Sequence, residues 1–197
     1  MSETGFSRQQ AFSWARQRYA EADIVPAREI MALYCAACGA DEFLFAPQVL
    51  TPAQTQAFQE LVERRCTHQP LQHLLKEMFF GSFRLFSSPD AFIVRPETEY
   101  LVELALRPQG ARKARLAADL CAGSGAIALT LARELPSAEV FMVEISEKAL
   151  GVARKNLERY PDLAQRITVS CADVAEPDLW EEQTGSFDLI VSNPPYV

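Results

Sequence analysis

The first third of the chain has apolar residues at the spacing of helices. A first helix is expected over FSRQQAFSWARQRYAEA, and a second from Pro26 to about Cys38. Thr51 and Gln54 have the spacing of a capping box, and Phe58, Leu61 and Val62 form an apolar stripe after it. This third helix should end near residue 67. We therefore expect residues 1–75 to form a small helical domain that contacts a substrate or partner.

The pattern changes after Pro70. Aromatic residues surround Gly81-Ser82 in the stretch MFFGSFRLF, which predicts a β-hairpin within a linker over residues 76–96. A helix should follow, running through Tyr100 to about Arg107. Strand-like runs then alternate with helical ones, with strands expected over residues 116–120, 138–144, 167–173 and 187–192. Residues 97–197 are therefore expected to form an α/β domain with about four parallel strands.

Composition and charge narrow the class of protein. The 197 residues are 49% hydrophobic and 23% charged, and no apolar run is long enough for a membrane span. A protein without membrane contact, located in the cytoplasm, is expected. The net charge of −7 disfavours direct nucleic-acid binding, since such proteins usually present a basic face.

The five cysteines are expected to be reduced thiols. Cys35 and Cys38 have the spacing of a zinc half-site, which Cys66 and His68 could complete. The Cys-x-His spacing is wrong for the second half of a structural zinc site, and the Ala-rich context favours a buried helix face. No metal site is therefore expected.

Candidate chemistry lies at the ends of the predicted strands, where open α/β sheets bind ligands. The first strand is followed by the loop Cys121, Ala122, Gly123, Ser124 and Gly125. Glycines there allow a ligand to approach the backbone and leave helix-terminal N–H groups available. A tight strand-to-helix turn would also use them, so this loop alone does not decide between the two interpretations.

Two acidic residues at other strand ends support the ligand interpretation. Glu144 ends the second strand, where a carboxylate can accept ribose hydroxyls, and Asp173 ends the third, within reach of an adenine amino group. A dinucleotide fingerprint would have glycine at residue 129, which is leucine. One adenosine with an amino-acid tail fits better, so the expected cofactor is S-adenosylmethionine, with S-adenosylhomocysteine as product.

The fourth strand ends in Asn193, Pro194, Pro195 and Tyr196. The Asn193 side-chain carbonyl and the Pro194 backbone carbonyl can accept hydrogen bonds from a planar NH₂ group, and the prolines restrict the backbone around them. Tyr196 can pack over a planar amide or base. An ordinary strand end is the alternative, but motifs at three neighbouring strand ends favour methyl transfer to nitrogen.

These motifs resemble the HemK-type protein-(glutamine-N5) methyltransferases, which modify the Gly-Gly-Gln glutamine of peptide chain release factors. The similarity is carried by FIVRPETEYLVE, DLCAGSGAIALTLA and FDLIVSNPPYV and extends over nearly the whole chain. It implies a Rossmann-like class I methyltransferase sheet preceded by a helical domain. Release factors would then be the protein substrates.

The resemblance also implies residue roles. It assigns the cofactor to residues 121–125, Glu144, Asp173, Val174 and Asn193, the target glutamine to residues 193–196, and catalysis to Asn193, Pro194 and Tyr196. It places Thr98 and Glu99 near the cofactor. The family often has glycine at residue 121, proline at 94, aspartate at 144 and an aromatic at 174, where this chain has Cys, Val, Glu and Val.

Other activities remain open at this point. The same motifs occur in adenine-N6 and guanine-N2 methyltransferases that act on nucleic acids, and a domain of this kind can also be an inactive cofactor- or partner-binding fragment. The resemblance implies three strands beyond the fourth. We therefore expect the chain to be a fragment of a longer protein, with its fourth strand covered by further residues or by another chain.

Overall fold

The computed structural model describes residues 5–25, 28–108, 110–180 and 185–195. Its contacts divide the chain into two compact units, Met1–Lys76 and Glu77–Val197. No helix in these described ranges is both long and apolar enough to cross a membrane.

The first unit is helical. Its helices are α1 (Arg8–Glu21), α2 (Glu29–Cys38), α3 (Pro52–Cys66) and α4 (Leu71–Leu75). Ser7 with Gln10 and Thr51 with Gln54 form complete capping boxes, which set the starts of α1 and α3. The predicted start of the second helix at Pro26 lies outside the described residues, whereas its end at Cys38 is confirmed.

Aromatic side chains fill the interior of this helical unit. Tyr19, Tyr34 and Phe58 are completely buried, and the rings of Tyr34 and Phe58 meet edge to face at 5.7 Å. An ion pair of 2.9 Å between Arg65 and Glu29 connects α3 to α2. The apolar stripe at Phe58 and Val62 therefore packs into a core within this unit.

The second unit begins with the antiparallel hairpin of β1 (Glu77–Phe80) and β2 (Phe83–Phe86), followed by α5 (Pro96–Leu106). The alternating part has β3 (Leu116–Leu120), α6 (Ala126–Glu134), β4 (Glu139–Glu144), α7 (Glu147–Glu158), α8 (Pro161–Ala164), β5 (Ile167–Cys171) and β6 (Leu189–Ser192). The sequence pattern thus predicts both the hairpin and the four strands.

The four strands form one parallel sheet in the order β5-β4-β3-β6. The connections from β3 through β5 progress in one direction, whereas β6 pairs on the other side of β3. This reversal creates a switch point at the carboxyl end of β3, which is where open α/β sheets bind ligands. The predicted α/β class with a parallel, Rossmann-like sheet is confirmed.

The start of β6 is bound to the start of β3 by a side chain. One carboxylate oxygen of Asp188 accepts hydrogen bonds from the backbone N–H groups of Arg115 (2.7 Å) and Leu116 (3.0 Å). At the other end, the Ser192 hydroxyl donates to the Leu120 carbonyl at 2.9 Å. These bonds hold the register that brings the carboxyl ends of the two strands together.

Candidate active site

The loop between β3 and α6 has an unusual backbone conformation. Cys121, Gly123 and Gly125 all have positive φ angles, of 62°, 54° and 77°. A Cβ atom on Gly125 would approach Met142 Sδ to 3.3 Å and Ala153 Cβ to 3.4 Å. Glycine at residue 125 therefore satisfies both the backbone conformation and the close packing of the loop on β4 and α7.

Glu144 connects this loop to the end of β4. Its Oε2 accepts a hydrogen bond from the Gly123 N–H at 2.8 Å, and its Oε1 accepts one from the Ser146 N–H at 3.0 Å. Each carboxylate oxygen has further acceptor capacity, so both can also accept ligand hydroxyls. The two backbone donors hold the carboxylate in one orientation beside the loop.

Asp173 and Val174 follow β5 and face the same region. The Asp173 Oδ1 accepts a hydrogen bond from the Ala175 N–H at 2.9 Å, which makes a tight turn after the strand. Both residues line the cavity that also contains Glu144.

Asn193 leaves the end of β6 and lies across from the first turn of α5. Its Nδ2 donates a hydrogen bond to Thr98 Oγ1 at 2.9 Å. Pro194 and Pro195 are exposed and line the same cavity as Glu144. Tyr196 lies outside the described residues.

A cavity of about 450 Å³ brings most of the predicted residues together. From the predicted set it is lined by Cys121, Gly123, Glu144, Asp173, Val174, Asn193, Pro194 and Pro195. Within the loop, Ala122 and Ser124 are buried, and Gly125 caps the start of α6, so these residues support the wall. Residues from the ends of all four strands thus meet at one cavity.

Sequence reasoning missed two apolar residues of this wall. Phe92 and Ile145 line the cavity although their side chains are 62% and 65% exposed. Exposed apolar side chains of this size that line a cavity are typical of a ligand-binding wall. Ile145 directly follows Glu144 at the end of β4, and this position could have indicated that its side chain lines the cavity.

Asp119 is another residue whose environment was not predicted from the sequence. It is completely buried in β3, and its Oδ2 accepts a hydrogen bond from the Ala128 N–H at 2.9 Å in the first turn of α6. Its Oδ1 is buried without a hydrogen-bond partner. Burial raises the pKa of Asp119 to about 8, so the side chain is mostly protonated at neutral pH.

A larger cavity, of about 740 Å³, lies between the hairpin, α5 and α6. Its arginines are engaged: Arg107 pairs with Glu103 at 2.7 Å, Arg112 pairs with Glu134 at 3.4 Å, and Arg133 covers the Phe83 ring. None of the residues predicted for the loop or the strand ends lines it, whereas Glu99, which the resemblance places near the cofactor, lines this larger cavity and not the smaller one. The smaller cavity is therefore the better candidate for the active site, because the chemistry converges there.

Comparisons with known proteins identify the family of both parts of the chain. Residues 97–197 match the family model of the methyltransferase small domain, and residues 10–75 match that of the PrmC N-terminal domain. A release factor glutamine methyltransferase from Mycolicibacterium smegmatis is 45% identical over 146 residues, which cover 74% of this chain and 50% of the relative. One from Geobacter sulfurreducens is 38% identical over 188 residues, covering 93% of this chain and 63% of the relative.

The chain thus spans about half to two thirds of the length of these relatives. Among solved structures, a SAM-dependent methyltransferase from Agrobacterium tumefaciens is 26% identical, with a TM-score of 0.41 over 60% of this chain and 41% of that one. The resemblance predicted from the three motifs is confirmed by the two family models and these relatives. The chain belongs to the methyltransferase small domain family, and a PrmC N-terminal domain precedes that domain.

Proposed function

We propose that the chain transfers a methyl group from S-adenosylmethionine to the side-chain amide nitrogen of the glutamine in the Gly-Gly-Gln motif of peptide chain release factors. The observation that carries this proposal is the convergence of Asn193 and Pro194 with Glu144 and the glycine loop on one cavity. The similarity to release factor glutamine methyltransferases supports the choice of substrate. We further propose that the protein acts in the cytoplasm, where translation takes place.

The residues present fit S-adenosylmethionine. Glu144 offers two carboxylate oxygens that are already oriented by backbone donors, which suits a ribose with two hydroxyls. Phe92 and Ile145 offer apolar surface for the adenine, and Asp173 offers a carboxylate for its amino group. The positive φ angles of Cys121, Gly123 and Gly125 shape a tight turn beside the cavity, which suits the methionine portion.

When bound, S-adenosylmethionine supplies a methyl group, the electron pair of the broken carbon–sulfur bond stays on sulfur, and the acceptor nitrogen releases one proton to water. The protein's part is to position that nitrogen. Asn193 Oδ1 and the Pro194 carbonyl accept from the two N–H groups of the glutamine amide, which fixes its plane. Pro194 restricts Asn193 to extended backbone, so these acceptors are preorganised. We assign Tyr196 to packing over the amide.

We propose that residues 1–75 contact the release factor, that residues 76–96 form the hairpin linker, and that residues 97–197 carry the chemistry.

The acceptors at Asn193 and Pro194 could also position the planar amino group of adenine or guanine. A net charge of −7 disfavours a nucleic-acid substrate, because phosphate contacts require a basic surface. We also propose that another chain contacts the edge of β6.

The test is incubation of the chain with methyl-labelled S-adenosylmethionine and either a release factor or total RNA and DNA. We expect the methyl label to appear in the release factor, and not to appear when its Gly-Gly-Gln glutamine is replaced by alanine. Label in nucleic acid alone would support the alternative methyltransferase. Cofactor binding without any transfer would indicate a binding fragment.

A further inference from the structure

Thr98, on α5, contacts the side chain of Asn193 at the end of β6. Thr98 lies in the first turn of α5, is only 6% exposed, and its N–H donates to the Arg95 carbonyl at 3.0 Å. A β-branched side chain in a helix has few χ1 rotamers, so its hydroxyl oxygen has a defined position. That oxygen accepts from Asn193 Nδ2 at 2.9 Å.

The backbone of Asn193 is constrained on both sides, but its terminal amide torsion is not. Ser192 pairs with Leu120 in the sheet, and its hydroxyl donates to the Leu120 carbonyl. Pro194 restricts the residue before it to extended backbone. The χ2 torsion of asparagine is broad and roughly two-fold, so neighbouring backbone leaves the positions of Oδ1 and Nδ2 open. A hydrogen bond to one end of the amide selects between them.

Asn193 also stands between two cavities. One is the candidate active site with Glu144, and the other, of about 450 Å³, is lined by Arg95, Pro96, Glu97, Thr98, Leu101 and Asn193. Thr98 belongs to the second cavity only. The amide therefore has its nitrogen turned towards α5, and its oxygen lies on the opposite branch of the planar group.

We propose that Thr98 is a positioning residue: its hydroxyl holds Asn193 Nδ2 and thereby presents Oδ1 as the acceptor for the N–H of the substrate. This inference rests on the proposed function and deepens it. An amide turned by 180° would present Nδ2 to the substrate N–H, and two donors would then oppose each other. The orientation that Thr98 imposes therefore favours substrates whose methyl-accepting nitrogen carries N–H groups, as amide and amino nitrogens do.

The matched variants are Thr98→Val, which has nearly the same shape without the hydroxyl, and Thr98→Ser, which keeps it. We expect Thr98→Val to lower kcat for release factor methylation by about tenfold, because both the population and the alignment of the productive amide are lost. The Kd for S-adenosylmethionine and the thermal midpoint should stay close to wild type. Thr98→Ser should retain most of the rate, and Thr98→Val should add little in an Asn193→Ala background.

Several results would overturn the proposal. One is a rate in Thr98→Val within twofold of wild type, and another is an equal loss in Thr98→Ser. A third is a loss of rate that parallels a loss of cofactor affinity or stability, because a purely structural role predicts that outcome.

A second measurement does not depend on activity. The side-chain NH₂ resonances of Asn193, assigned by their disappearance in Asn193→Asp, should shift in Thr98→Val and stay near their wild-type positions in Thr98→Ser. If the wild-type chain methylates no release factor, the proposed function fails, and these resonances still decide whether Thr98 holds the amide. Unshifted resonances in Thr98→Val would reject the role of Thr98 whatever the activity.

Discussion

Asn156 connects three parts of the methyltransferase unit through one buried side chain. It lies in α7 with no exposed surface, and its Oδ1 accepts from the Phe86 N–H at 2.6 Å. Its Nδ2 donates to the Ser124 carbonyl at 3.0 Å and to the Phe86 carbonyl at 3.3 Å. The amide thus joins the hairpin strand β2 to the loop that borders the cavity. Its removal should affect both folding and cofactor binding.

The expected loss of stability in Asn156→Ala follows from the backbone groups that the substitution leaves without a hydrogen-bond partner. The part-buried N–H and carbonyl of Phe86 and the carbonyl of Ser124 lose a partner, and each unsatisfied buried group costs about 1–3 kcal/mol. Taking the lower part of that range, since water can reach the partly exposed loop, the free energy of unfolding should fall by about 3–5 kcal/mol. That is a large fraction of the roughly 5–15 kcal/mol of a typical domain.

Urea denaturation followed by far-ultraviolet circular dichroism measures this loss, and hydrogen exchange localises it. Exchange should accelerate in peptides that contain Phe86 and Ser124, and the Kd for S-adenosylmethionine should rise. Lys148→Ala, an exposed change in the same helix, serves as the control and should change stability by less than about 0.5 kcal/mol. A cost below about 1 kcal/mol for Asn156→Ala, or unchanged exchange in the loop, would refute the connecting role.

Three further changes test the loop and the strand ends. Cys121→Gly should raise the free energy of unfolding, measured by urea titration, by about 0.5–1 kcal/mol. A non-glycine residue at a φ of 62° is strained, and relief of that strain exceeds the conformational entropy that glycine adds to the unfolded chain. A loss of stability would show that the Cys121 side chain contributes more than its strain costs. Glu144→Gln should raise the Kd for S-adenosylmethionine, measured by calorimetric titration, by about tenfold or more. In this variant an NH₂ group replaces one of the two oxygens that accept a backbone N–H. An unchanged Kd would show that the ribose binds elsewhere. Burial raises the pKa of Asp119 to about 8 from an ordinary 3.8, so the folded protein binds a proton that the unfolded chain releases, and stability should fall as pH rises between those values. Asp119→Asn should flatten that part of the pH profile of the unfolding free energy, and a slope equal to wild type would contradict the assignment.

Local signals were sufficient for most of the elements. The capping box at Thr51 indicated the start of α3, and the bounds of β3 agree with the apolar run on which they were predicted. The short helices α4 and α8 were missed, since four or five residues contain too little periodicity to show a face.

The strand-end residues were predictable because parallel strands bring their carboxyl ends to one edge of the sheet. Contacts that depend on side-chain geometry were not predictable. The family resemblance placed Thr98 and Asn193 near the same cofactor, but no local pattern indicates that the two side chains meet across 95 residues. Likewise, no local pattern indicates that Asn156 joins Phe86 to Ser124. Such contacts depend on how helices pack on the sheet, which local patterns do not encode.

The central claim is that the cavity at the strand ends presents a glutamine amide to a methyl donor. Tandem mass spectrometry of the Gly-Gly-Gln peptide, after incubation of release factor with the chain and S-adenosylmethionine, tests it most directly. We expect the mass of one added methyl group on the glutamine side chain, and no such addition when Asn193 is replaced by alanine. An unmodified glutamine, or a methyl group on any other residue, would contradict it.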